Sequence, residues 1–256
     1  MFKETLQKGS TVFGIWQRIP SSAVSEILSV AGVDFAAVDM EHGPIDISDL
    51  RTIVPVFKSN SIPVLLRIPS AHLSLIAKAL DLDVDGIIVP QVSTAAEAEA
   101  AVAASKFSPI GKRGIGGPCA ADHYGDISAE KFTDIANDRV VTIVQIENQQ
   151  AVGNLDEILE VTGIDLFYIG PFDLSQSLGI TGQMDHPLLI ETIQFVIDKL
   201  ITKGIPIGMH GVNGEFIKYW RNRGASLFTY GMDNAFLKNS VRSAFESLSS
   251  NINSTD

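Results

Sequence analysis

The chain is poor in cysteine: Cys119 is the only one in 256 residues. One thiol excludes an internal disulfide framework and any cysteine-built zinc or iron–sulfur centre. Lying between Pro118 and Ala120 in a loop-like stretch, it reads as incidental. Basic residues are also scarce. The 19 Lys and Arg stand against 30 Asp and Glu, a formal net charge of -11 with a pI near 4.8. Nucleic acids and anionic membranes recruit basic patches to displace counterions, so this balance argues against both and for a small-molecule partner. Long apolar runs are missing as well, since none approaches the ~18 residues of a membrane span. The opening residues, Met1 to Lys8, hold no apolar signal core, so a cytoplasmic protein is expected. Without such a signal, the sequon Asn253-Ser254-Thr255 reads as chance.

What is present suits a large core. The composition is 45% hydrophobic with mean hydropathy +0.20, and residues 1–256 fit one domain of barrel size. Short β-branched or aromatic runs recur near residues 12–16, 34–38, 62–66, 85–89, 140–146, 164–169, 205–208 and 225–230, each bounded by Gly, Pro or Asp. Helical patterns lie between them: Ser21 to Ala31, Ile47 to Phe57, Ala71 to Leu82, Thr94 to Ala104, Ala151 to Val161, Pro187 to Lys203 and Glu215 to Arg223. Strand followed by helix, repeated, means a parallel sheet. Gly32, Gly163, Gly204 and Gly224 fall just after helices and before strands, where a left-handed helix end is wanted. Eight such units predict an α/β fold, a (β/α)8 TIM barrel, with its site at the C-terminal strand ends. The open doubly wound sheet is the alternative, but Phe13-Gly14-Ile15-Trp16-Gln17 lacks the G-x-G-x-x-G turn. Residues 105–126 are rich in Gly and Pro and exceed the usual barrel connection, so they are expected to form a functional lid or interface arm. A last helix over 234–248 carries Leu237, Val241, Phe245 and Leu248 at helical spacing and must pack on something.

Ionisable groups crowd the ends of these apolar runs. Val38-Asp39-Met40-Glu41-His42-Gly43-Pro44 follows one, Arg67 another, Gln145-Ile146-Glu147 a third and Gly170-Pro171-Phe172-Asp173 a fourth. In a barrel, Asp39, Glu41, His42, Arg67, Gln91, Glu147, Asp173 and His210 all converge on one mouth. Glu147 and Asp173 end successive strands, close enough together to share a hard divalent ion, although each alone also suits a helix cap or a strand-end salt bridge. His42 beside a carboxylate such as Asp39 or Asp81 suits a general base, or else a capping or solvent-facing histidine. Arg67 ends too apolar a strand for a casual surface residue: it holds a carboxylate or a forming oxyanion, or makes a salt bridge at the mouth. His72, His123 and His186 read as structural, and His210 is open. No lysine ends any candidate strand, which argues against a Schiff base. Metal, base and arginine together suit one reaction class, metal-assisted aldol chemistry on a 2-oxo acid.

From about residue 10 to residue 245 the chain resembles the HpcH/HpaI family of metal-dependent (class II) pyruvate aldolases. The likeness is carried by Asp39-Met40-Glu41-His42-Gly43, Arg67-Ile68-Pro69, Ile87-Ile88-Val89-Pro90, Gly111-Lys112-Arg113-Gly114, Gln145-Ile146-Glu147 and Ile169-Gly170-Pro171-Phe172-Asp173-Leu174-Ser175. The resemblance implies a lyase that cleaves a 4-hydroxy-2-oxo acid reversibly to pyruvate and an aldehyde. It implies His42 as acid/base, Arg67 on the pyruvate enolate, and Asp81, from the same or a neighbouring subunit, raising the basicity of His42. Glu147 and Asp173 would bind a divalent metal, Mg²⁺, Mn²⁺ or Co²⁺, while Gln145 and the backbone at Phe172–Asp173 hold pyruvate. It also implies a homo-oligomer, commonly a hexamer, in which C-terminal helices pack on neighbouring subunits. Phe172 stands where the family usually has alanine, and Asp83 where glycine is common. Alternatives within the same chemistry are an annulating enzyme of the macrophomate synthase type and a CoA-ester lyase, and outside it a ligand-binding barrel without catalysis.

Overall fold

The computed structural model describes residues 1–69 and 73–253. His72 and the sequon residues Ser254 and Thr255 lie outside them. In chain order the elements are α1 (Phe2–Gln7), β1 (Val12–Gln17), α2 (Ser22–Ser29), β2 (Phe35–Asp39), α3 (Ile47–Ser59), β3 (Val64–Arg67), α4 (Leu73–Leu80), β4 (Gly86–Val89) and α5 (Ala95–Ser105). After a long connection come α6 (Ala129–Arg139), β5 (Val141–Ile146), α7 (Gln149–Gly153), α8 (Leu155–Ile158), β6 (Leu166–Ile169) and α9 (Pro171–Ser177). The chain closes with α10 (Pro187–Lys203), β7 (Ile207–Gly211), α11 (Gly214–Arg221), β8 (Leu227–Met232) and α12 (Asp233–Asn253). The eight strands are all parallel and close in sequence order, with β8 returning to β1, which makes a (β/α)8 barrel.

The alternation of a pleated strand divides the core into two layers. Phe35 and Ala37 of β2 point into the barrel with Trp16, Leu65, Ile88, Ile143 and Tyr168, while Ala36 and Val38 point outward to the helices. Both faces are buried, hence the unbroken apolar runs. Inside the barrel the Phe35 ring lies over Gly14, where a Cβ would come within 2.5 Å of it. Leu6 and Phe2 of α1 join this inner layer and close the bottom.

Each of the eight expected strands is found, with ends shifted by up to three residues. The four helix-end glycines take φ of +85° (Gly32), +94° (Gly163), +69° (Gly204) and +107° (Gly224), the left-handed region the sequence asked for. Three helices went unforeseen. Only Phe132, Ala136 and Asn137 of α6 are buried, a stripe too thin to read as periodicity, while α1 and α9 are short. The helix expected over 151–161 is broken at Asn154 into α7 and α8. Asp83 takes φ +69°, so this turn keeps the left-handed form with Asp, a residue that tolerates it better than most. In α12, Leu237, Val241, Phe245 and Leu248 are all exposed on the single chain. No described helix is long and apolar enough to cross a membrane.

Candidate active site

Asp39 and Arg67 are register partners on adjacent strands, so their side chains leave the barrel together. The guanidinium grips the carboxylate as a fork, Nε to Oδ1 at 2.9 Å and Nη2 to Oδ2 at 2.7 Å, and lies 4.3 Å from the centre of the Trp16 ring. Arg18 adds a 2.7 Å bond from Nε to Asp39 Oδ2, and Glu41 Oε2 sits 3.3 Å from Arg67 Nε. Asp39 is fully buried. Burial alone would push its carboxyl up, but the Arg67 hydrogen bonds and charge, with Arg18, outweigh that and hold it below its ordinary value. Asp39 Oδ1 also accepts the backbone N–H of Glu41 (3.1 Å) and His42 (3.2 Å). The turn after β2 is thereby fixed, and it presents His42 at the mouth with its side chain 52% exposed and Nε2 3.7 Å from Glu41 Oε2.

A second group faces this one from β5 and β6. Glu147 is 2% exposed; its Oε1 accepts the Gln91 N–H at 2.7 Å, and its Oε2 a close hydrogen bond from Gln145 Nε2. Gln91 gives only its backbone, held at φ +56°. A Cβ on Gly170 would lie 2.7 Å from Gln145 Nε2 and 2.8 Å from Glu147 Oε2, so any side chain there would displace these two groups. From Gly170 the chain enters α9 through Pro171, which puts Asp173 in the first turn. Burial pushes the Glu147 carboxyl up to about 7, with the Asp173 and Glu41 charges adding and the Gln91 hydrogen bond opposing. Glu41 is raised too, by burial first and by Asp39 and Asp173, against Arg67 and His42.

Between the groups lies a cavity of about 140 Å³ lined by His42, Arg67, Gln145, Phe172, Asp173 and His210, among others. A larger one, about 1020 Å³, sits against α11 and the 182–186 loop and holds none of these residues. The expected convergence is therefore found in two clusters around one space. Asp81 stands apart: it pairs with Arg113 at 2.7 Å beneath the long connection, whereas the carboxylate beside the His42 ring in this chain is that of Glu41. His186 caps α10 through the Leu188 N–H, and His123 ends the short Ala120–Asp122 turn, both structural as expected. The sequence reasoning passed over Arg18, although it too follows an apolar strand, and over Tyr168 and Thr229, which show no charge in the sequence.

Among the described residues no third His, Cys, Asp or Glu joins Glu147 and Asp173 in a larger cluster. The pair nevertheless fits a divalent cation. Among the described residues Glu147 is a buried carboxylate with no salt-bridge partner, and Gln145 Oε1 is buried with no hydrogen-bond partner. A hard ion accepts two carboxylates and fills its shell with substrate and water oxygens.

The chain matches the HpcH/HpaI aldolase/citrate lyase family over residues 13–239. It belongs to that family. It is 36% identical to the hydroxypyruvate/pyruvate aldolase of Roseobacter denitrificans, over 94% of each chain. It is 34% identical to the 2-keto-3-deoxy-L-rhamnonate aldolase of Klebsiella pneumoniae, over 91% of this chain and 86% of the relative. The crystal structure of an HpcH/HpaI aldolase from Desulfitobacterium hafniense superposes with a TM-score of 0.91 at 28% identity, covering 97% of this chain and 96% of that one. The HpcH/HpaI family is metal-dependent, and the chain is a carbon–carbon lyase of its class II aldolase kind.

Proposed function

We propose that this lyase reversibly cleaves a 4-hydroxy-2-oxo acid to pyruvate and an aldehyde, with Mg²⁺, Mn²⁺ or Co²⁺ held by Glu147 and Asp173. The observation that carries the reading is Glu147, buried and without a salt-bridge partner among the described residues, bonded to Gln145 beside a cavity of about 140 Å³ that Gln145, Asp173 and Arg67 line. Such a space has room for a three-carbon acid, since one water occupies roughly 30 Å³. When bound, the cation supplies positive charge beside the carboxylate and keto oxygens of the substrate.

The side chains of the chain do the rest. His42, exposed at the mouth and steadied through its backbone by Asp39, removes the proton of the C4 hydroxyl. The C3–C4 bond breaks, the aldehyde leaves, and the electron pair stays on the three-carbon fragment as an enolate. Two N–H groups of Arg67 are engaged by Asp39, and the guanidinium, which lines the cavity, has others to offer the enolate oxygen. Gln145 and the backbone at Phe172–Asp173 orient the acid, and a proton returned to C3 gives pyruvate. Asp81 adds basicity to His42 from a neighbouring subunit, where the α12 stripe of Leu237, Val241, Phe245 and Leu248 finds its cover in a homo-oligomer, a hexamer by family resemblance. Metal titrations test the assignment. Glu147→Ala and Asp173→Ala should each bind Mn²⁺ far more weakly than the parent, and unchanged affinity in both would remove them as ligands.

A further inference from the structure

His210 lines the cavity but has no part in the chemistry above, and its surroundings fix what it can offer. Its Nδ1 lies 3.1 Å from Thr229 Oγ1, and the same oxygen lies 2.5 Å from the Tyr168 hydroxyl. Tyr168 and Thr229 are buried, and among the described residues the Thr229 hydroxyl bonds only these two groups. A buried phenol places its hydrogen on an acceptor, and Thr229 Oγ1 is the one within reach. The Thr229 hydrogen is then left for His210 Nδ1, which must accept it. The imidazole proton therefore sits on Nε2, the ring nitrogen with no hydrogen-bond partner among the described residues. The ring is also neutral: burial, with the Arg67 and Arg18 charges, pushes it down to about 4.

Strand order says which part of a substrate meets this donor. Glu147, Asp173, Gln145 and Arg67 rise from β3, β5 and the β6 end, and claim the carboxylate and C2 oxygens. The opposite wall comes from β7, β8 and β1, the side left for carbon C3 once the oxygens are so engaged. Trp16 and Met232, with the Phe172 ring of α9 6.0 Å from that of His210, make this side largely apolar apart from Arg18 after β1, with His210 as its neutral donor. A space of about 140 Å³ is filled by the three-carbon half of the substrate, so the aldehyde half lies further out.

Resting on the aldolase reading, we propose that His210 Nε2–H donates a hydrogen bond to a hydroxyl on C3, so that the enzyme selects 2-oxo acids hydroxylated there, of which hydroxypyruvate is the smallest. Thr229 and Tyr168 act as positioning residues that hold the tautomer.

Two measurements test this. Nitrogen-15 NMR of the histidine rings in the unaltered protein should show His210 protonated at Nε2 and bare at Nδ1; a proton on Nδ1 overturns the proposal. Separately, Mn²⁺-loaded parent and His210→Leu would be compared with hydroxypyruvate and with pyruvate, reading Kd for each acid and kcat and KM in aldol addition to glyceraldehyde. One neutral hydrogen bond is worth about tenfold, so His210→Leu should weaken hydroxypyruvate about tenfold and pyruvate less than threefold, and His210→Gln should recover part of the loss. Equal losses for both acids, or none for hydroxypyruvate, overturn the proposal while the aldolase reading stands. A folded parent that turns over neither donor overturns both.

Discussion

The two ends of the barrel use the same side chain for opposite purposes. At the bottom, Asp34, Asp85 and Asp165 immediately precede β2, β4 and β6, and each accepts the backbone N–H of a neighbouring strand: Phe13 at 2.8 Å, Val64 at 2.9 Å and Thr142 at 2.8 Å. Lysines complete two of them. Lys58 reaches Asp85 at 2.9 Å, and Lys3 and Lys106 reach Asp165 at 2.8 and 3.4 Å. Lys106 is buried, which pulls its ammonium down to about 8, yet it also donates to the Asn137 and Val140 carbonyls. At the mouth Asp39 is compensated by Arg67 and Arg18, and Asp233 by the backbone N–H groups of Arg18 and Ile19. Glu41, half-buried, and Glu147, buried, have too little positive charge nearby, and both are raised. The bottom satisfies its charges and holds strands in register. The mouth leaves charge unsatisfied, which is what a cation and an anionic substrate then answer.

The comparison breaks or sharpens under substitution. His42→Ala should lower kcat by about 10²–10⁴ while Tm and Mn²⁺ affinity hold, because the ring is exposed and binds no core group; near-parental turnover would remove it as the base. Arg67→Ala should cost about 3–5 kcal/mol of stability as well as activity, since it strands the buried Asp39; a chemical denaturation curve matching the parent would show the fork to be dispensable. Asp165→Ala, at the bottom, should lose about 1–3 kcal/mol from the unpaired Thr142 N–H and Lys106, with kcat per folded molecule unchanged. A selective loss of kcat there would contradict the division between the two ends.

The smallest effect is one of pH. The Glu147 carboxyl sits at about 7 in the fold against an ordinary 4.5, so ionisation is disfavoured by folding. Glu147's contribution to the stability of the metal-free protein is then fully present below about 4.5 and is lost as pH rises through 7. Metal must displace this proton, so Mn²⁺ affinity should fall roughly tenfold from pH 8 to pH 6. Glu147→Gln should remove both dependences, and calorimetric titration at the two pH values would show whether it does.

Much of this was legible in the sequence because a barrel strand buried on both faces writes itself as an apolar run, and an ionisable residue closing such a run stands out against it. Asp39, His42, Arg67, Glu147 and Asp173 were each visible in that way. Arg18 obeys the same rule and was missed because Gln17, itself buried, masks where β1 stops. Thr229 and Tyr168 left no mark, since a hydroxyl inside a strand reads as ordinary β-forming composition; their meaning lies in one oxygen shared across β6, β7 and β8. Nor could the sequence show Asp81 paired with Arg113, a contact made only when the long connection folds back over α4. Helix α6 was lost for want of an apolar stripe.

The central claim is that Glu147 and Asp173 hold the cation an aldol cleavage needs. It is tested most directly by treating the protein with a chelator and following pyruvate release from a panel of 4-hydroxy-2-oxo acids, with and without added Mg²⁺ or Mn²⁺. The account predicts release that vanishes on chelation and returns with metal. Release unaffected by chelation, or none from folded protein with any metal, would contradict it.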